Sequence, residues 1–138
     1  MRLILDNNIL FSLMNPKSSS SYLFSLIKAE FLAPEFIKSE FDKYRKSCIS
    51  KSSLSEDEFE MRLSSIESSI KFSKVSEYES FLKKAENKLS DPDDADFLAL
   101  AISTKASIWS NDPHLKKQSL VDVFTTNELV QMLLKGEI

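Results

Sequence analysis

Leu3-Ile4-Leu5-Asp6-Asn7-Asn8, close to the N-terminus, sets three apolar residues against a carboxylate and two amides. An apolar run without alternation, cut off by turn-forming residues, predicts a short strand buried on both faces. Strands of that kind belong to parallel sheets with helices covering each side. The rest of the chain keeps to the same scheme. Phe31-Leu32-Ala33 is a second apolar run, stopped by Pro34, which suits the first turn of a following helix. Phe72 to Val75 predicts a third strand, Ser107-Ile108-Trp109 a fourth, and Val121 to Phe124 a last one.

Helical patterns fill the intervals. Ile9 to Met14 forms a helical or turn segment after the first strand. Pro16 to Ser21 is a polar break in which a serine caps a helix carrying Leu23, Phe24, Leu26 and Ile27. Ser55 and Glu58 make a capping box before a stripe of Phe59, Leu63, Ile66 and Ile70. Tyr78, Phe81, Leu82 and Ala85 continue as a helix. Ser90-Asp91-Pro92 opens another, running through Phe97 to Ile102, and Thr125 with Glu128 boxes a C-terminal helix bearing Leu129, Met132 and Leu133. Short strands alternating with helices predict an α/β fold with a mainly parallel sheet, in one domain spanning residues 1–138.

Composition narrows the chemistry. A formal net charge of −3 and a pI near 5.3 argue against a dedicated nucleic-acid binder, which draws its affinity from a basic surplus. They leave room for an enzyme whose acidic cluster holds a metal while lysines line the rim. Gly136 is the only glycine, which excludes GxGxxG and P-loop phosphate sites. Cys48, the one cysteine, has no partner for an internal disulfide and no histidine near it in sequence. The N-terminal apolar run is too short for a signal peptide or a membrane span, so the expected location is the cytoplasm.

Four acids stand at telling positions. Asp6 ends the first strand and Asp112 closely follows the fourth. Functional groups of open parallel sheets gather beyond the carboxyl ends of the strands at the switch point. If those two strands are neighbours, both carboxylates face one crevice; taken singly, each also reads as a turn or cap residue. Glu40 shares helical spacing with Phe36, Ile37, Phe41 and Tyr44, which places it on an inward stripe where an unpaired carboxylate is costly. Asp91 and Asp93 are explained by capping and the helix dipole. Asp94 instead continues the buried face marked by Phe97, Leu98 and Ala101, while Asp96 points elsewhere. Two carboxylates about 4 Å apart repel by roughly 4 kcal/mol at an effective dielectric near 20. A converging set therefore holds protons or a hard divalent cation. His114 reads as a surface residue, Trp109 as core, and Lys116 and Lys117 as a solvated face that also suits a phosphate backbone.

These four motifs, in this order and at these separations, resemble the PIN-domain family over essentially the whole chain. Leu3 to Asn8 is similar to the family's opening strand and first acid. Glu40 matches the second acidic position, Asp94-Ala95 followed by Phe97 to Ala101 the third, and Ile108 to Asp112 the fourth. Asp96 adds a charge where the family is often apolar. The resemblance implies a three-layer fold with sheet order 3-2-1-4-5, strands 1 and 4 adjacent, and a Mg2+- or Mn2+-dependent ribonuclease. It implies Asp6, Glu40, Asp94 and Asp112 as the catalytic and metal-binding set, with Asn8 hydrogen-bonding Asp6 to fix its orientation. It also implies an RNA substrate, a homodimer, and an antitoxin partner if the chain is a toxin. Two other readings remain open: a catalytically silent module binding RNA or protein, and a phosphoacceptor signalling domain. The second needs a lysine at a strand end, where neither Lys74 nor Lys105 clearly sits.

Overall fold

The computed structural model describes all residues 1–138. Five strands, β1 (Arg2–Leu5), β2 (Glu30–Pro34), β3 (Ile70–Ser73), β4 (Ser107–Trp109) and β5 (Val123–Phe124), form one sheet. Every pairing is parallel and the order is β3-β2-β1-β4-β5. The expected order 3-2-1-4-5 is thus the observed one. It reverses between β1 and β4, which is the switch point of the sheet.

Eight helices surround the sheet: α1 (Asn7–Leu13), α2 (Ser19–Leu26), α3 (Ile37–Lys43), α4 (Arg45–Ser52), α5 (Glu56–Ser68), α6 (Leu82–Glu86), α7 (Ala95–Thr104) and α8 (Thr126–Leu134). The apolar helix α7 packs across β1, β2 and β4, with α6 against it, while α2 packs against α1 and α8, and α1 also against α3. No helix is long and apolar enough to cross a membrane. Leu3, Ile4 and Leu5 of β1 are wholly buried, as are Leu98 to Ala101 of α7 and Ile108 and Trp109 of β4. Trp109 is core, and its Nε1–H donates to Thr126 Oγ1 at 3.0 Å, so the one polar atom of the ring is satisfied. The caps at Ser18, Ser55 and Thr125 all form as the sequence indicates.

Several boundaries differ from the sequence reading. Pro34 does not open a helix; it is the last residue of β2, and α3 begins at Ile37. β3 starts at Ile70 rather than Phe72, so Ile70 belongs to the strand and not to the stripe of α5. Its apolar side chain satisfies either period, and pairing with Phe31 decides. The last strand keeps only Val123 and Phe124. The segment around Tyr78 and Phe81 is two short 3-10 turns, Val75–Glu77 and Glu79–Phe81, leading into α6. The predicted helix start at Asp91-Pro92 is also a 3-10 turn, Pro92–Asp94, and α7 proper follows it.

Candidate functional site

The register of β1 against β4 builds the centre of the site. Leu5 pairs with Trp109, and the Asp6 amide reaches the Trp109 carbonyl, so Asp6 emerges beside Ser110. Asp6 then caps α1: its Oδ1 accepts the Ile9 amide at 2.8 Å. Its Oδ2 accepts a short hydrogen bond from the Ser110 hydroxyl. The same hydroxyl accepts the Asp112 amide at 3.0 Å, which couples the two acids through one buried side chain. Asp112 in turn uses Oδ1 to accept the His114 amide at 2.9 Å, with His114 Nδ1 3.0 Å from the same oxygen.

Asp94 arrives from the other direction. Asp91, not Asp94, caps the 3-10 turn, accepting the Asp93 amide at 3.0 Å. Asp94 stands at the N-cap of α7 without making a side-chain cap bond, so its carboxylate is left facing the site. Glu40 is supplied by α3. It lies at the edge of the buried stripe rather than within it: Ile37 and Phe41 are buried, whereas Glu40 is half-buried and Tyr44 exposed. Asp6, Glu40, Asp94 and Asp112 all line one cavity of about 620 Å3.

Electrostatics confirm the proximity of the three aspartates. Burial pushes the Asp94 carboxyl up to about 6, helped by the charges of Asp112, Asp91, Asp6 and Asp93. Burial also raises Asp6, and the Asp112 charge adds to this, against the lowering effect of the Ser110 and Ile9 hydrogen bonds. Burial is the main cause at both Asp6 and Asp94, and the neighbouring carboxylates add to it. No lysine or arginine forms an ion pair with any of the four acids.

The donors are all oxygen, which suits a hard divalent ion. They do not form a closed cage, since no three histidine, cysteine, aspartate or glutamate side chains converge on a point. Mg2+ tolerates that arrangement because it keeps several waters and takes only one or two carboxylates directly. The chemistry of the donors therefore suits such an ion, although their spacing does not enclose one.

Asn8 reaches Asp6 only through its backbone amide, and its side chain does not perform the task expected of it. It lies at the second position of α1, is exposed, and its side chain makes no hydrogen bond to Asp6. Ser110 holds Asp6 instead. The sequence reading missed Ser110 because a serine after a strand carries no periodic signal, and only the β1–β4 register reveals it. His114 was likewise read as a surface residue; it is exposed, yet it sits on Asp112. Asp96, the unexpected charge, has a structural explanation: it accepts the hydroxyl of buried Tyr78 at 2.6 Å.

The fold and these motifs define the class of protein. The chain belongs to the PIN-domain family, whose model matches residues 4–134. Among solved structures it is similar to a chain of VapBC2 from Rickettsia felis, determined bound to a DNA fragment from their promoter. The TM-score is 0.65 at 16% identity, covering 91% of this chain and 98% of that one. No protein of curated function matches the sequence.

Proposed function

We propose that this chain is a Mg2+- or Mn2+-dependent endoribonuclease that hydrolyses RNA phosphodiester bonds at Asp6, Glu40, Asp94 and Asp112. The observation that carries this reading is the shared cavity lined by Asp6, Glu40, Asp94 and Asp112, none of them paired with a lysine or arginine. Membership of the PIN-domain family supports it. Asp6, Asp94 and Asp112 would hold the ion directly or through water, with Glu40 completing the set. When bound, the ion supplies positive charge against the phosphate and acidifies a water. Ser110 keeps Asp6 from turning away by donating to Oδ2. Glu40, across the cavity, orients the attacking water. His114 and the turn after β4 fix Asp112 through Oδ1, leaving Oδ2 for the ion or its waters.

The likeness to a VapBC2 chain supports a narrower proposal, a toxin neutralised by an antitoxin partner; we further propose that the free protein is a homodimer in the cytoplasm. A small open reading frame beside the gene, and a dimer mass by light scattering, are the expected findings.

Incubation of a mixed RNA pool with and without Mg2+ tests the main reading. Wild type cleaves only with metal, Asp6→Asn and Asp94→Asn lose at least about a hundredfold in rate, as expected for metal ligands, and Asp93→Asn retains most activity. Metal-independent cleavage, or full activity in Asp94→Asn, would refute the site.

A further inference from the structure

Beyond the acids, the cavity continues as a trough between two helical stripes. One comes from α3 and α4, where Glu40, Tyr44, Ser47, Cys48, Lys51 and Ser52 recur at spacings of three and four. The helical bonding carries across the joint at Tyr44, whose amide donates to the Glu40 carbonyl at 3.2 Å and whose carbonyl accepts the Cys48 amide at 3.0 Å. The facing stripe belongs to α1 and its exit, with Phe11, Ser12 and Asn15.

Tyr44 is the conspicuous member. It lies four residues, just over one helical turn, from Glu40, about 6 Å along the axis. It is 46% exposed although it is a large aromatic residue in a concave site. Phe11 meets it edge-on with ring centroids 6.1 Å apart, and Phe11 is itself fixed against Phe41 at 5.3 Å. The ring is thus held by Phe11, with the Lys43 ammonium 5.4 Å from its centroid, while much of it stays exposed to a ligand. Two turns further on stands Lys51, the only lysine or arginine lining the cavity, and it pairs with no carboxylate. Only four of the sixteen lining residues are hydrophobic. That makes a poor groove for the apolar face of a protein helix, and a good one for a ligand alternating flat aromatic and anionic groups.

We propose that Tyr44 is the stacking platform for an unpaired base flanking the cleaved phosphate, and that Lys51 receives the next phosphate along the strand. This rests on the ribonuclease reading and adds a specificity subsite to it. A base reaches Tyr44 only when it is free of its complement, since paired bases present no open face to a side chain. Asn15 and Ser47 add polar groups to the same lining, whereas the Ser12 hydroxyl is engaged with the Ile9 carbonyl at 2.7 Å.

Steady-state cleavage of one RNA oligonucleotide, single-stranded and annealed to its complement, tests the proposal. Anisotropy of the labelled oligonucleotide on catalytically disabled Asp94→Asn protein gives a binding readout independent of turnover. Wild type is expected to prefer the single strand. Tyr44→Ala raises KM, and weakens binding in the disabled background, by about tenfold, with kcat changed less than about twofold. Tyr44→Phe restores wild-type KM. Lys51→Ala weakens binding and reduces the slope of log affinity against log salt by about one. Equal KM for wild type and Tyr44→Ala, or a Tyr44→Phe protein as impaired as Tyr44→Ala, overturns the stacking role. So does loss of a protein partner by Tyr44→Ala with RNA kinetics intact. If wild type cleaves no RNA, the ribonuclease reading fails by itself; binding that weakens in Tyr44→Ala would still uphold the subsite, and absent binding would end it.

Discussion

Ser110 shows how much of the site depends on a side chain with no charge. It is wholly buried, donates to one acid and accepts from the backbone of another, so it fixes their relative position. Removing a partner from a buried polar group costs about 1–3 kcal/mol, more when the group is charged. Ser110→Ala is therefore expected to lower stability by about 2 kcal/mol in urea unfolding. It also raises the Asp6 carboxyl further, because the hydroxyl is the largest of the influences that lower it. RNA cleavage should fall about 10- to 100-fold, with a higher Mg2+ requirement, as for other groups that orient metal-binding carboxylates. An unchanged Mg2+ dependence would reduce Ser110 to a structural residue.

At the scale of the element, α1 and the site share one residue. Asp6 is both the N-cap of α1 and a member of the acidic cluster, and the two roles separate by substitution. Asparagine caps as well as aspartate, whereas alanine loses the cap at about 0.5–2 kcal/mol. Asp6→Asn should thus match or exceed wild-type stability without metal, since one repelling charge is gone. Asp6→Ala should be less stable than Asp6→Asn by about 1 kcal/mol, and both should be inactive. Calorimetry on the pair checks this, and equal melting temperatures would show that the cap contributes nothing. The same economy explains why the sequence alone left Asp6 ambiguous: cap and ligand call for the same residue type.

Elements also show where patterning misled. Pro34 follows an apolar run and looks like a helix opener, but the strand extends through it because Pro34 pairs with Ser73 at the end of β2. Glu40 sits within the arithmetic of an inward stripe, yet the packing of Ile37 and Phe41 rolls it to the rim of the cavity. That displacement leaves the carboxylate at the rim, open to solvent, as its proposed role requires. Asp94 was legible for a sound reason: the apolar face of α7 points at the sheet, so a residue at its head meets the strand ends.

At the scale of the whole molecule the acidic cluster opposes folding. Asp94 titrates at about 6 in the folded chain against 3.8 in the reference state. Between those values the folded protein holds a proton that the unfolded chain has released, so stability falls as pH rises from about 4 to about 6. Asp6 shifts in the same direction. The melting temperature of Asp94→Asn relative to wild type should therefore be smallest below about pH 4 and rise to a plateau above about pH 6.5. Saturating Mg2+ should narrow that gap from the wild-type side, because ligand binding stabilises by linkage. A difference independent of pH, or indifferent to millimolar Mg2+, would count against a charge-repelled site built for a cation.

The sequence by itself determined the class of architecture and its four acids. Unalternated runs such as Leu3-Ile4-Leu5 are soluble only if covered on both faces, and that requirement selects a helix-clad parallel sheet. Local chemistry also fixed the caps at Ser18, Ser55 and Thr125, which depend on neighbours three residues away. Tertiary structure decided what depends on residues far apart in the chain. The pairing of Leu5 with Trp109 set the Ser110 side chain rather than that of Asn8 on Asp6, and the lie of α1 against α3 and α4 opened the trough with Tyr44 on its wall. Spacing along the chain encodes which face a residue occupies; only packing encodes what that face meets.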